Sequence, residues 1–234
     1  MKSSSKAVIR GVAACVLLCV AATFAQAGTI IKLNLGGVGP DVGMNPAGIL
    51  STIDQTAGPP PTGDQFTAVE YTGFLNFIPN INSNTATFSL NGLQAVGPAN
   101  VFGSLVIQNF TGGVFSLYDP ADNLLLQGPV FNSALSGVIG PPGTGALFTT
   151  TLGNVTGGSL LPYIAPGSVS LSMNMTNVNG GNGFAVAGGG PQLNQFLADA
   201  SVSIAADPVP EPASLMLLGF GSAVAMVYGR RHRS

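Results

Sequence analysis

The chain has 234 residues, 46% of them hydrophobic and only 7% charged, with a formal net charge of −2. Six of its seven basic residues and its single histidine lie in residues 1–27 or 208–234, which leaves Gly28 to Asp207 with Lys32 against eight carboxylates, a net −7. That stretch has no Arg, His, Cys or Trp, which excludes a Ser-His-Asp triad, a Cys-His pair, a structural zinc site of the usual N/S kind, a disulfide scaffold and a phosphate-neutralising surface for nucleic acid.

The first 27 residues read as a signal peptide. Lys2, Lys6 and Arg10 form a basic region, Gly11 to Phe24 is uncharged and mostly apolar, and Ala25-Gln26-Ala27 is an A-x-A site for signal peptidase. Ala25 and Ala27 are the recognised small residues, and Gly28 begins the mature chain. Val12 to Cys15 fits a loose lipobox, but only four residues separate Arg10 from Cys15, too few for an apolar region. Both cysteines, Cys15 and Cys19, lie within this leader.

From Gly28 onward the dominant hydrophobic period is two, the mark of half-buried strands. Thr29 to Leu35 is the first candidate. Val69, Tyr71, Leu75 and Phe77 share a parity, with Gly73 as a gap or bulge. Ala86, Phe88 and Leu90 alternate with Thr85, Thr87 and Ser89. Val101 to Phe110, Val114 to Tyr118, Asn123 to Gln127 and Leu147 to Leu152 follow. Val169, Leu171, Met173 and Met175 alternate with Ser168, Ser170, Ser172, Asn174 and Thr176. Ala200, Val202, Ile204 and Ala206 form the last such set. Asp119 to Asn123 reads as a tight hairpin turn. Asn179 to Gly183 is expected to join the 168–178 strand to a short strand at Phe184 to Ala187. Pro191 to Ala198 is the one helical hint, with Leu193, Phe196 and Leu197 on one face. Nine or ten short strands with Gly, Pro and Asn turns predict an all-β fold: an antiparallel β-sandwich, jelly-roll-like, over residues 28–207. About 180 residues are enough for one hydrophobic core.

The polar residues offer few chemistries. Asp119, Asp122 and Asn123 could present oxygen ligands to calcium with help from Asp54 and Asp64, but an Asx-stabilised turn accounts for them equally simply. The Gly180 to Gly183 cluster resembles the start of a calcium-binding β-roll repeat, yet occurs once and has Ala185 where an aspartate belongs. Gly36 to Gly39 lacks the spacing of a dinucleotide fingerprint. Glu70 could join a carboxylate pair for glycoside hydrolysis, but its parity turns it to solvent, opposite Val69 and Tyr71. Tyr71, Tyr118 and Tyr163 could form a shallow sugar-binding face. The chain is therefore expected to be no enzyme, with no catalytic residue, cofactor or metal.

The tail is the most specific stretch. Val209, Pro210, Glu211 and Pro212 precede Ala213 to Gly229, which has no charge, and Arg230, Arg231 and Arg233 follow. Seventeen helical residues span roughly 26 Å, close to a hydrocarbon core. Flanking arginines stay on the cytoplasmic side, so the body faces out. The two prolines hold Glu211 in extended backbone. A plain membrane anchor would share these traits. A GPI signal would end in its apolar tail, and a Leu-Pro-x-Thr-Gly sortase signal is absent. The order Pro-Glu-Pro, apolar segment, basic end, within the terminal segment 208–234, resembles the PEP-CTERM sorting signal, and the resemblance is confined to residues 209–234. That resemblance implies recognition by an exosortase, processing near Pro-Glu-Pro, transient anchoring by a transmembrane helix and an exopolysaccharide-producing bacterial host. The N-x-Thr triplets at Asn109, Asn154 and Asn174 are then chance matches. The leading expectation is an exported cell-surface or extracellular-matrix structural protein associated with exopolysaccharide. The alternatives are a carbohydrate-binding module and, remotely, a carboxylate-dependent glycoside hydrolase.

Overall fold

Burial follows the period-two pattern most clearly in the later strands. In β11 (Ser170–Thr176) Leu171, Met173 and Met175 are buried, while Ser170, Ser172, Asn174 and Thr176 are not. Each fully buried Leu, Phe or Met contributes about 1.5–3 kcal/mol relative to an exposed one, so the alternation fixes which face of each strand turns inward. The computed structural model describes residues 28–36, 39–53, 64–73, 75, 78, 84–142, 145–152, 154–165, 167, 169–186 and 192–209. The chain divides into two units, and the one at Ala27–Asp207 holds every strand found among the described residues.

The other strands are β1 (Gly28–Asn34), β2 (Val42–Met44), β3 (Ile49–Thr52), β4 (Asp64–Tyr71), β5 (Thr85–Asn91), β6 (Leu93–Phe102), β7 (Leu105–Thr111), β8 (Val114–Tyr118), β9 (Leu124–Val138), β10 (Gly145–Leu152) and β12 (Phe196–Ala206). Every ladder between them is antiparallel. They do not separate into two independently bonded sheets. All twelve form one sheet in the order β1-β4-β5-β8-β9-β10-β11-β12-β2-β3-β6-β7, closed on itself by the further pairings β1–β12 and β9–β7. Two long strands make the closure. β12 pairs with β11 along one edge and with both β1 and β2 along the other. β9 pairs with β10 along one edge and with both β8 and β7 along the other. Closure removes most of the free edges an open sheet would carry.

One core fills the interior. Phe88, Phe115, Phe148, Phe184 and Phe196 are among its largest buried side chains. Phe184 meets Phe196 edge-to-face at 4.8 Å between ring centroids, and Phe110 meets Phe148 at 6.3 Å. Gly137 leaves room for the Phe184 ring, which a Cβ there would strike.

The structure corrects several expectations. Phe196 to Ala198 are strand, not helix: they pair with Met44 to Val42, and Phe196 and Ala198 are buried while Leu197 between them is exposed. Period two over eleven residues outweighs a three-residue helical hint. Pro191 itself lies outside the described residues. The expected strand Val101 to Phe110 is a hairpin, broken where Gly103 takes φ 63°, a left-handed conformation that glycine adopts without cost. The expected strand Phe184 to Ala187 is not a hairpin strand over its described residues, 184–186: Phe184 and Val186 make only isolated bridges, to Ile139 and Leu193, and Ala187 lies outside the described residues. β9 runs through Pro129 to Val138, far past Gln127, because its register shifts past Asn132 at φ 42° and pairing with β10 resumes beyond.

Candidate functional site

β1 and β12 bring the two ends of the strand-bearing unit side by side. Gly28 pairs with Ala206 and Thr29 with Ala205. Past β12 the Asp207 carbonyl accepts a hydrogen bond from the Ala165 N–H at 2.9 Å, so the backbone is held in place to that residue. Val209 is exposed. Pro210, Glu211, Pro212, Arg230, Arg231 and Arg233 lie outside the described residues, as do the apolar stretch 213–229 and the leader with Ala25 and Ala27. No helix among the described residues is long and apolar enough to cross a membrane.

The Asp119 turn is built by its own carboxylate. Oδ1 accepts from the N–H groups of Ala121 and Asn123, both at 2.8 Å, and Oδ2 accepts from Asn123 Nδ2 at 2.8 Å. Partial burial pushes this carboxyl up, but the three hydrogen bonds outweigh it and hold it below the usual carboxylate range. Asp122, at φ 62°, occupies the left-handed position of the turn. The arrangement is the Asx-stabilised hairpin. Asp54 and the Asp64 side chain lie outside the described set.

Glu70 faces solvent, as its parity requires, and pairs with Lys32 at 3.2 Å on the neighbouring strand. Both side chains are more than half exposed, so the pair adds little stability. The tyrosines differ in setting. Tyr71 is in the core, Tyr118 is half-buried and Tyr163 is exposed as the last residue of a 3-10 turn at Leu161–Tyr163. Tyr71 therefore cannot contribute its ring to a sugar-binding surface. Its hydroxyl is buried without a hydrogen-bond partner, and burial, helped by the nearby Asp119 charge, pushes its pKa up to about 12.

The Asn179 to Gly183 loop is a structural device. Asn179, Gly180, Gly181 and Gly183 all have φ between 51° and 86°. The Asn179 amide donates to the Gly183 carbonyl at 2.9 Å, and its oxygen accepts from the Leu197 N–H at 3.2 Å. Beside this loop lies a shallow groove of about 430 Å³, with Met44, Ile53 and Leu197 as its apolar part and Asn45, Ser51 and Gln195 as its polar part. It is uncharged and holds no general acid or base.

Two polar residues escaped sequence reasoning. Asp41 is buried and accepts from the Ala200 N–H at 2.6 Å, tying the approach to β2 onto β12. Gln108 is wholly buried; its amide reaches the carbonyls of Val96, Gly97 and Asn109, and its oxygen accepts from the Leu193 N–H. Its inward parity between Val106 and Phe110 was the available signal.

No curated protein and no solved structure matches the chain. The family model of the PEP-CTERM protein-sorting motif matches residues 208–233, so the recognisable functional element of this chain is a PEP-CTERM sorting signal, confined to its C-terminal segment.

Proposed function

We propose that this chain is an exported structural protein of the bacterial cell surface or extracellular matrix. Residues 1–27 direct export and are removed by signal peptidase. Residues 28–207 then form a closed β-body, read as a jelly-roll-like sandwich, which performs no catalysis and needs no cofactor or metal. Residues 213–229 cross the inner membrane as a transient helix, and an exosortase reads Pro210, Glu211 and Pro212 and releases the body. The exported body associates with exopolysaccharide. The sorting motif at residues 208–233 carries this reading. The composition supports it: a strand-rich body with one lysine and no histidine or cysteine has little with which to perform catalysis.

The test is processing. Protein recovered from the surface of an exosortase-bearing host should lack the Arg230 to Arg233 end by mass spectrometry. Glu211→Ala should leave the chain uncut and membrane-bound, because insertion depends on the apolar span and not on that carboxylate. Recovery of wild-type protein with Tyr228 and the arginines intact would establish a plain membrane anchor instead.

A carbohydrate-binding role at the same address is the second reading. The uncharged groove at Leu197, lined by apolar side chains and by the amides of Asn45, Asn179 and Gln195, favours it. Retention of the exported protein on exopolysaccharide, lost on Leu197→Asp, would establish it.

A further inference from the structure

The β6–β7 hairpin leaves an uncovered edge in an otherwise closed sheet. β6 pairs with β3 only through Leu93 and Gln94. From Asn100 to Phe102 it pairs with β7, and among the described residues no strand lies along its other side. An antiparallel edge turns the N–H and C=O of every second residue outward. Such edges are ordinarily guarded by lysines or other charges, yet strands β5 to β11 contain no charged residue at all. Pro98 and the register shift between Val96 and Asn100 blunt only the middle of β6. Beyond them Val101 is 47% exposed, Phe102 64% and Leu105 41%. The register sets Phe102, Leu105 and Val138 next to one another across β6, β7 and β9, an apolar row that runs out to the free edge.

We propose that this edge is the contact with a second copy of the chain. Asn100 to Phe102 pairs antiparallel with the same segment of the other molecule about a two-fold axis, and the sheet continues from one copy into the next. An antiparallel strand edge is complementary to itself, which is what an isologous contact requires. Charge selects the face. Each body has a net −7 over residues 28–207, so contacts that bring carboxylates together are opposed. Asp119 and Asp122 lie in the β8–β9 turn, Glu70 on β4, and Asp199 on β12 with Asp207 just past it. No carboxylate lies on β6, β7 or β9, so the row of Phe102, Leu105 and Val138 carries no charge, and it loses water on association.

Sedimentation of the exported protein over a concentration series tests this. The wild type should pass from monomer to dimer. Val101→Lys places two like charges across the axis and should raise the dimer dissociation constant at least about tenfold, with the melting temperature of the monomer unchanged. Phe102→Lys, on the opposite face of the same strand, should do the same and keeps the test if Val101→Lys folds poorly. Leu197→Lys, at an exposed apolar residue elsewhere, should leave the dimer intact. The mature chain has no cysteine, so Val101→Cys should yield a covalent dimer on mild oxidation. A wild type that stays monomeric at every concentration, or an association that both lysine variants leave intact, overturns the proposal. Neither result bears on tail processing, which is read separately by mass.

Discussion

Tyr71 is the residue whose environment most clearly affects stability. A buried hydroxyl without a partner costs roughly 1–3 kcal/mol, and Tyr71 has that defect in the core. Tyr71→Phe should therefore raise stability by about 1–2 kcal/mol in urea melts, since it removes the hydroxyl and keeps the ring. The same residue sets an alkaline limit. Its folded pKa of about 12 stands above the model value of 10.0, so the native state favours the neutral phenol. That contribution is complete below pH 10 and is lost as pH rises from there through about 12, where the unfolded chain ionises first. Urea melts between those pH values should show the wild type losing stability with pH more steeply than Tyr71→Phe. Equal slopes would remove Tyr71 from the account. Asp119 has the opposite sign. Its lowered pKa stabilises the fold above the ordinary carboxylate range, and this is lost as pH falls through the folded value.

At the scale of the element, strand parity governs what a substitution does. Met173 is buried and Ser172 is half-buried on the other face of β11. Met173→Asp should abolish soluble expression, since an unpaired charge would enter the core. Ser172→Asp should change stability by less than about 0.5 kcal/mol. Equal tolerance of both in an expression and melting assay would show that the parity of β11 is wrong. Such strands were legible because each contains its own pattern. β5, β11 and the second half of β12 alternate apolar with polar residues in sequence, and their positions, with those of β8 and β10, were read from sequence, although Thr87 and Ser89 of β5 and Ser116 of β8 are buried as well. β2 and β3 were not, because three or four residues are too few to establish a period. β6 was missed because both of its faces are exposed beyond Ala95, so no alternation remained to read. The start of β12 was misread because Leu193, Phe196 and Leu197 mimic a helical face while β2, which pairs with it, lies more than 150 residues away. The sorting signal was fully legible, being local and linear. The roles of Asp41 and Gln108 were not, since their partners are backbone groups brought close only by the fold.

For the whole molecule, β12 is the keystone. It joins β11 to both β1 and β2, so both closed circuits of the sheet run through it. A chain ending at Gln195 should lack a cooperative thermal transition, because Leu171, Met173 and Ile31 would lose the strand that pairs beside them. A chain ending at Val209 should keep that transition. Circular dichroism of the two truncations decides the matter, and cooperative melting of the shorter one would show that the sheet closes without its last strand. The same placement has a mechanical consequence. The tail continues from the C-terminal end of β12, and β12 is hydrogen-bonded along both edges. A pull directed along the axis of β12 would load its flanking ladders together, in shear, where a strand at the margin would peel away one bond at a time. Force entering at the C-terminal end of β12 would thus be borne by the strand least able to leave alone.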